Sequence, residues 1–254
     1  PIGLRPRDPQ HMPRMSLHGA VPVEAVQGLA FDLTLIVELG GRHPAVQLLQ
    51  RQLRHQHISP RMGLIQHRGE LLNGVEMDLF HNRYLTFDEL SLYCYRVASV
   101  VGLICLHIFG VTSPRAQDYA VSLGMAFQLT NILRDIGVDL DEGRIYLPLN
   151  DLRACNCPEE ALLTKTYSPE FTTLMKQEAA RAHEYYAKAQ AALASLSPSE
   201  RRFLTVAEIM RGIYSRILKE IERSGYRVFG PRISLSTSHR LAIALGIWFR
   251  SRFS

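Results

Sequence analysis

Four residues in the middle of the chain dictate a helix. Gln128, Asn131, Asp135 and Asp139 are separated by 3, 4 and 4 positions, and α-helical periodicity lines such a spacing up on one stripe. Leu129, Ile132, Leu133 and Ile136 stand between them, so the helix is amphipathic and the polar stripe is expected to face a cavity. Two carboxylates one turn apart stand about 6 Å from each other. That is too far to share one proton well, yet close enough for both to reach one cluster of hard cations. Carboxylate and amide oxygens suit Mg²⁺, which is usually held by a few carboxylates plus substrate phosphates. Mn²⁺ is the other candidate ion. Arg134 and Arg144 add fixed positive charge suited to phosphate oxygens. The ordinary alternative for acids at i and i+4 is a solvated face. Gln and Asn on the same stripe, with Arg beside it and IYLP after it, argue against that.

The same helical period runs through most of the chain. Pro44 opens a helix from Ala45 to about His57, and Met62 to about Phe80 forms another. Thr86 with Glu89 three residues on makes a capping box, opening an apolar helix to about Ile108 that Gly110 ends. Ser113-Pro114 caps the helix carrying the acidic stripe, which runs to about Asp141 and breaks at Gly143. A short turn at Asn150 to Ala154 follows. Long helices then cover Pro169–Leu196 and Glu200–Ser224, and an amphipathic one covers His239–Arg250. No segment of weight has strand period, so the expected fold is all-α. Residues 1–44 lack clear periodicity and are set apart from a helical domain at 45–254.

The chain of 254 residues is 46% hydrophobic and 21% charged, enough for one domain with a substantial core. Its formal charge of +5 is unevenly spread. Six arginines and no acids lie from Arg223 onward, and five arginines and no acids between Arg42 and Arg68. Such surfaces suit anionic lipid or anionic substrates. Nucleic acid is not expected, because no stacking motif accompanies the charge. Cys94, Cys105, Cys155 and Cys157 form no disulfide framework and read as free thiols. The ten histidines show no zinc spacing. No stretch is expected to reach the length of a membrane span, and no signal peptide is evident. The expected location is the cytoplasm, with peripheral contact at the inner face of the membrane.

The stretch QLTNILRDIGVDLDEGRIYLP, Gln128 to Pro148, closely resembles the second aspartate-rich motif of the squalene/phytoene synthase family. LNGVEMDLFHNRYLTFDELSLYCYRVASVVG, Leu72 to Gly102, resembles that family's other signature segment. From about Leu64 onward the chain follows the family in order and spacing. The resemblance implies a single-domain antiparallel helical bundle around a central cavity, and the head-to-head condensation of two prenyl diphosphates. It assigns Asn131, Asp135 and Asp139 to metal binding, and Gln128, Arg134 and Arg144 to the diphosphate end of the substrate. Tyr93, in YCYRVAS, is placed near the reacting carbons, where its ring can face a carbocation and its hydroxyl can relay a proton. Tyr93, Val97 and Val101 fall at i, i+4 and i+8. Plain core packing explains the two valines, and a cavity for prenyl tails would be lined by such residues too. Tyr214 and Arg232 match a tyrosine and an arginine that contact diphosphate. Helix packing and surface charge are their plain alternatives. Glu76 and Asp78 match the family pattern in a supporting role rather than as metal ligands.

Within the family, YCYRVAS and PRISLSTSHRLAIAL look most like bacterial presqualene diphosphate synthases of hopanoid synthesis, which implies farnesyl diphosphate as substrate. Phytoene synthases, acting on geranylgeranyl diphosphate, are the alternative. Other isoprenoid-pathway enzymes are the expected partners. NADPH is not expected, since no glycine-rich dinucleotide fingerprint is visible. The family pattern also calls for a first DxxxD cluster, which counting back places at about residue 15. There the sequence reads HMPRMSLHGA, and neither Asp8 nor Asp32 has an acid at i+4. Three accounts stay open: a truncation joined to unrelated residues, a frameshifted or degenerate N-terminus, or a divergent enzyme. The first two are the expected ones. They raise a reading of another class, an inactive paralogue or fragment that binds prenyl lipid or a partner enzyme.

Overall fold

The computed structural model describes residues Pro60 to Phe253, and the expected helix at 45–57 lies outside them. The described residues form ten helices and no strand. Helix α1 spans Pro60–Phe80. After it, Thr86 caps α2, Phe87–Cys94, by accepting from the Glu89 amide at 3.2 Å. Glu89 does not close the expected reciprocal box. Its Oε2 reaches one residue further back, to the Leu85 amide at 2.7 Å.

The apolar run expected to be one regular helix contains a wider turn. Tyr95–Ser99 is π-helical, with the Val100 amide bonded back to the Tyr95 carbonyl, and α3, Val100–Phe109, continues from it. The cause lies on the neighbouring helix. A Cβ on Gly124 would stand 2.5 Å from the Ser99 Cα, so the two backbones touch there. The Ser99 hydroxyl, fully buried, donates to the Val121 carbonyl at 2.8 Å. A π turn inserts one residue into the helical register and swings everything after it by about 100°. Val101 therefore leaves the face it was expected to share with Tyr93 and Val97. It is half-buried, whereas they are buried. Phe87–Phe109 is also 23 residues long with mean hydropathy 1.7, long and apolar enough by composition to cross a membrane. This corrects the expectation that no stretch reaches that length. Here the run packs against α1 and α4.

Helix α4, Pro114–Asp141, starts at the Ser113 cap and carries fifteen buried residues. It packs most extensively on α7, Pro169–Ala194, a helix capped by Ser168. Gly143, at φ 77°, turns the chain out of α4, a left-handed conformation that glycine adopts without strain. The segment after it runs alongside the α1–α2 connection. The Ile145, Leu149 and Asn150 amides bond the carbonyls of Asn82, Tyr84 and Leu85 at 2.9, 2.9 and 3.0 Å. This pairing draws the end of α1 onto the end of α4.

Two short helices follow, α5 at Leu149–Ala154 and α6 at Glu159–Leu163. The second was not expected. The long helix expected at Glu200–Ser224 is two: α8, Pro198–Phe203, and α9, Thr205–Arg223. They meet at Leu204, whose backbone leaves the helical region at φ −92° and ψ 6°. No glycine or proline stands there. The 2% exposed Leu204 side chain marks tertiary packing as the cause. Helix α10, Thr237–Phe253, lies on α9, where Gly212 admits Ile243 and Ile247.

Candidate active site

The C-terminal half of α4 brings the polar stripe together as expected, but its members differ in what they hold. Asp135 is fully engaged. Arg134 donates from Nε and Nη2 to its two oxygens at 2.9 and 2.6 Å, and Arg232 does the same at 2.8 and 2.8 Å. A carboxylate has about four lone-pair sites, and here four N–H groups use them. Burial acts to raise the Asp135 carboxyl, but the bonds from Arg134 and Arg232 outweigh it and hold it below the usual range. Arg134 is 9% exposed and also faces Tyr214. Tyr214 sits on α9 with its ring 4.6 Å from Phe127. Arg232 approaches from the loop before α10 and is the exposed partner, at 54% for its side chain.

Asp139, one turn on, has no hydrogen bond or salt bridge to its carboxylate among the described residues. Burial, then the negative charges of Asp135 and Glu142, push it up to about 8, with Arg144 opposing. Asn131 shows the same incompleteness. Its amide nitrogen reaches the Gln128 side-chain oxygen at 3.4 Å, while its own Oδ1 is buried and has no donor among the described residues. Arg144 is tied to Glu142 at 3.1 Å and to the Asp78 carbonyl at 3.5 Å. Beside Asp139, Arg144 and Tyr146 lies a hollow of ≈ 10 Å³, walled by Ile132, Ile136 and Leu162. It has room for about one water or ion and none for a prenyl chain.

A second cluster meets this one, joining Tyr93, expected near the reacting carbons, to Asp78, expected only in a supporting role. Asp78, at the end of α1, accepts from the Tyr93 hydroxyl at 3.0 Å and from the Tyr146 hydroxyl at 2.8 Å. The Tyr93 and Tyr146 rings stack at 5.3 Å with 22° between planes. Tyr84 packs 5.6 Å from Tyr93 and 6.0 Å from Tyr146, and its buried hydroxyl has no partner among the described residues. Burial first, then Tyr146 and Asp78, push the Tyr93 hydroxyl well above its ordinary range. Tyr146 was missed as a site residue, although IYLP was noted. The backbone pairing with residues 82–85 brings it in, and only long-range structure reveals that.

The oxygen donors fit a hard cation in part. An orphaned amide oxygen and an unpartnered, destabilised carboxylate are what such an ion would satisfy. Asp135, as found, has no lone pair left and would join only by releasing an arginine. No group of three or more His, Cys, Asp or Glu side chains among the described residues could hold a metal alone. The remaining ligands would have to come from substrate phosphates or from residues outside those described.

The arrangement is similar to known proteins at both levels of comparison. A phytoene synthase of Arthrospira platensis is 41% identical over 181 residues, covering 66% of this chain and 58% of that protein. A 15-cis-phytoene synthase of Synechocystis sp. is 38% identical over 195 residues, covering 72% and 57%. The chain thus spans a little over half the length of these relatives. Among solved structures, a dehydrosqualene synthase superposes with a TM-score of 0.65 at 24% identity, covering 74% of this chain and 66% of the other. The squalene synthase HpnC from Alicyclobacillus acidocaldarius gives 0.59 at 27%, covering 65% and 61%. The all-helical fold is thereby shared with isoprenoid synthases. The family model described as squalene/phytoene synthase matches residues 23–239, beginning well before the Leu64 from which the sequence resemblance runs. With the motif on α4, the tyrosine segment of α2 and a match over most of its length, the chain belongs to the squalene/phytoene synthase family.

Proposed function

We propose that the chain carries out the head-to-head condensation of two prenyl diphosphates of the phytoene-synthase kind, with geranylgeranyl diphosphate as substrate. One observation carries the reaction class. On a single helix face, Asn131 and Asp139 present unsatisfied oxygens beside an acid clamped by two arginines. That combination suits a cation on one side and diphosphate oxygens on the other. Relatives at 36–41% identity that are phytoene synthases support the longer substrate. This departs from the farnesyl reading that YCYRVAS and the C-terminal segment suggested. The likeness to HpnC keeps presqualene diphosphate formation as the second reading.

In the proposed mechanism, Asn131 and Asp139 would hold Mg²⁺, and Asp135 would add a further oxygen once its two arginines let go. Bound there, Mg²⁺ supplies positive charge against a diphosphate leaving group. Arg134 and Arg232, released from Asp135, turn their N–H forks to diphosphate oxygens, a geometry guanidinium matches well. Their charge lowers the cost of breaking the allylic C–O bond. Buried Val97 and Tyr93 help keep water from the resulting carbocation, and the Tyr93 ring offers its π face to it. The second substrate's double bond then attacks, and proton loss closes a cyclopropane.

The test is diphosphate release by the full chain with Mg²⁺ and either geranylgeranyl or farnesyl diphosphate. Release expected with the longer substrate should fall by about 10³-fold in Asp135→Ala. Preference for farnesyl diphosphate would favour the second reading. Prenyl lipid binding without any release would favour an inactive paralogue and overturn the proposal.

A further inference from the structure

The carboxylate of Asp78, like that of Asp139 and unlike those of Asp135 and Asp151, has no counter-ion among the described residues, yet both its oxygens are hydrogen-bonded. Asp135 has two guanidinium partners, and Asp151 has one. Asp78 has no ion pair to its side chain among the described residues; each oxygen instead takes one tyrosine hydroxyl proton. Removing a carboxylate from water without a counter-ion is costly, and a cluster needed only for packing would be better served by phenylalanines. The bonds are directional, converging from α2 and from the segment after α4 onto one acid at the end of α1. Tyr93 is 3% exposed and does not ionise on its own in this setting. It can pass its proton to Asp78 only while taking another.

We propose that Asp78 acts through Tyr93 as the proton sink of the ring-closing step, an inference that rests on the condensation proposed above. As a C–H bond breaks on the carbon separated from the cationic carbon by one other carbon, its electron pair forms the closing C–C bond of the cyclopropane. The proton goes to the Tyr93 hydroxyl oxygen, and the hydroxyl's own proton moves 3.0 Å along the existing hydrogen bond to Oδ2 of Asp78. Charge is balanced, because a carbocation and a carboxylate become a neutral ring and a neutral acid. Tyr146, bonded to Oδ1 and stacked on Tyr93, fixes the acid's orientation. Asp78 touches no substrate and is a positioning residue; Tyr93 is the group that meets the reacting carbon.

Product partition tests this apart from stability. A cation that cannot lose its proton in time is captured by water, so alcohols replace the cyclopropyl product while diphosphate release continues. In the full chain with Mg²⁺ and geranylgeranyl diphosphate, Asp78→Asn and Tyr93→Phe should each lower the cyclopropyl-to-alcohol ratio by about 10²-fold at little-changed KM. The double variant should be no worse than Tyr93→Phe alone, and Asp78→Glu should recover part of the ratio. An unchanged ratio in Asp78→Asn, with wild-type release intact, would overturn this inference alone. Absence of release in the wild type would overturn it together with the condensation reading. Should Asp78→Asn fail to fold, Tyr93→Phe decides, and an unchanged ratio there is equally fatal.

Discussion

Two clusters in this protein are built from the same parts and finished differently. Where α5 meets α7, Arg181 donates to both oxygens of Glu178 at 2.6 and 2.6 Å and to Asp151 at 2.9 Å, while Gln177 takes the other Asp151 oxygen at 2.9 Å. The guanidinium lies 4.0 Å over the Phe87 ring. Every carboxylate oxygen has a partner, and nothing is left for a ligand. At the end of α4 two guanidinium groups crowd onto Asp135, while among the described residues Asp139 and the Asn131 oxygen have none. The protein has enough cations there to serve both acids, yet it doubles them on one. An evenly paired cluster ties elements together. A lopsided one keeps acceptors open and arginines that can be drawn away, which is what a site for a cation and an anion requires.

Removing the shared cation should separate the two clusters most strongly. Arg181→Met leaves the 1% exposed Glu178 and its neighbour Asp151 with no counter-ion. Breaking a buried pair in this way costs about 3–5 kcal/mol, read as urea unfolding at pH 8. Burial already pushes Glu178 up to about 7 against the pull of Arg181. Without that arginine it should escape by protonation, so the loss shrinks toward pH 5. Binding of inorganic diphosphate by the folded variant should not change. A change there would mean that the two clusters are one unit.

A smaller effect should come from the backbone beneath the site. Gly124→Ala would press a Cβ to 2.5 Å from Ser99, where both neighbours are backbone. Overpacking of this kind costs about 1–3 kcal/mol. It should disturb Tyr93 and Asp78 through the π turn while leaving the Arg181 cluster untouched, a difference that side-chain NMR of the tyrosines can show.

That contact also marks where the sequence stops being readable. The stripe Gln128, Asn131, Asp135, Asp139 was legible because its spacing is local. So were the caps at Thr86 and Ser113, each a side chain bonding an amide within its own turn. The π turn was not, because YRVAS contains nothing that widens a helix by itself; the cause is Gly124 on another element. The break at Leu204 and the convergence of Tyr93 and Tyr146 on Asp78 are likewise made by residues far apart in the chain. Arg232, 97 positions from Asp135, was reached by family resemblance, and its clamp on that acid was not foreseen.

The finest distinction between the clusters is the response of Asp139 to pH. Its carboxyl is held up to about 8 in the folded protein, against about 3.9 in an unfolded chain. Between those values the folded state binds the extra proton, so stability falls as pH rises from about 4 and stops falling above about 8. Asp139→Asn removes that dependence. In metal-free protein the variant should match the wild type near pH 4 and exceed it by about 1 kcal/mol at pH 8, a modest figure because the group is partly solvent-accessible. Mg²⁺ with inorganic diphosphate should reverse the order, raising the wild-type Tm and leaving the variant's where it was. Parallel stability curves for the two proteins between pH 4 and pH 8 would mean that Asp139 is as well satisfied as Asp151, and the contrast between the clusters would vanish.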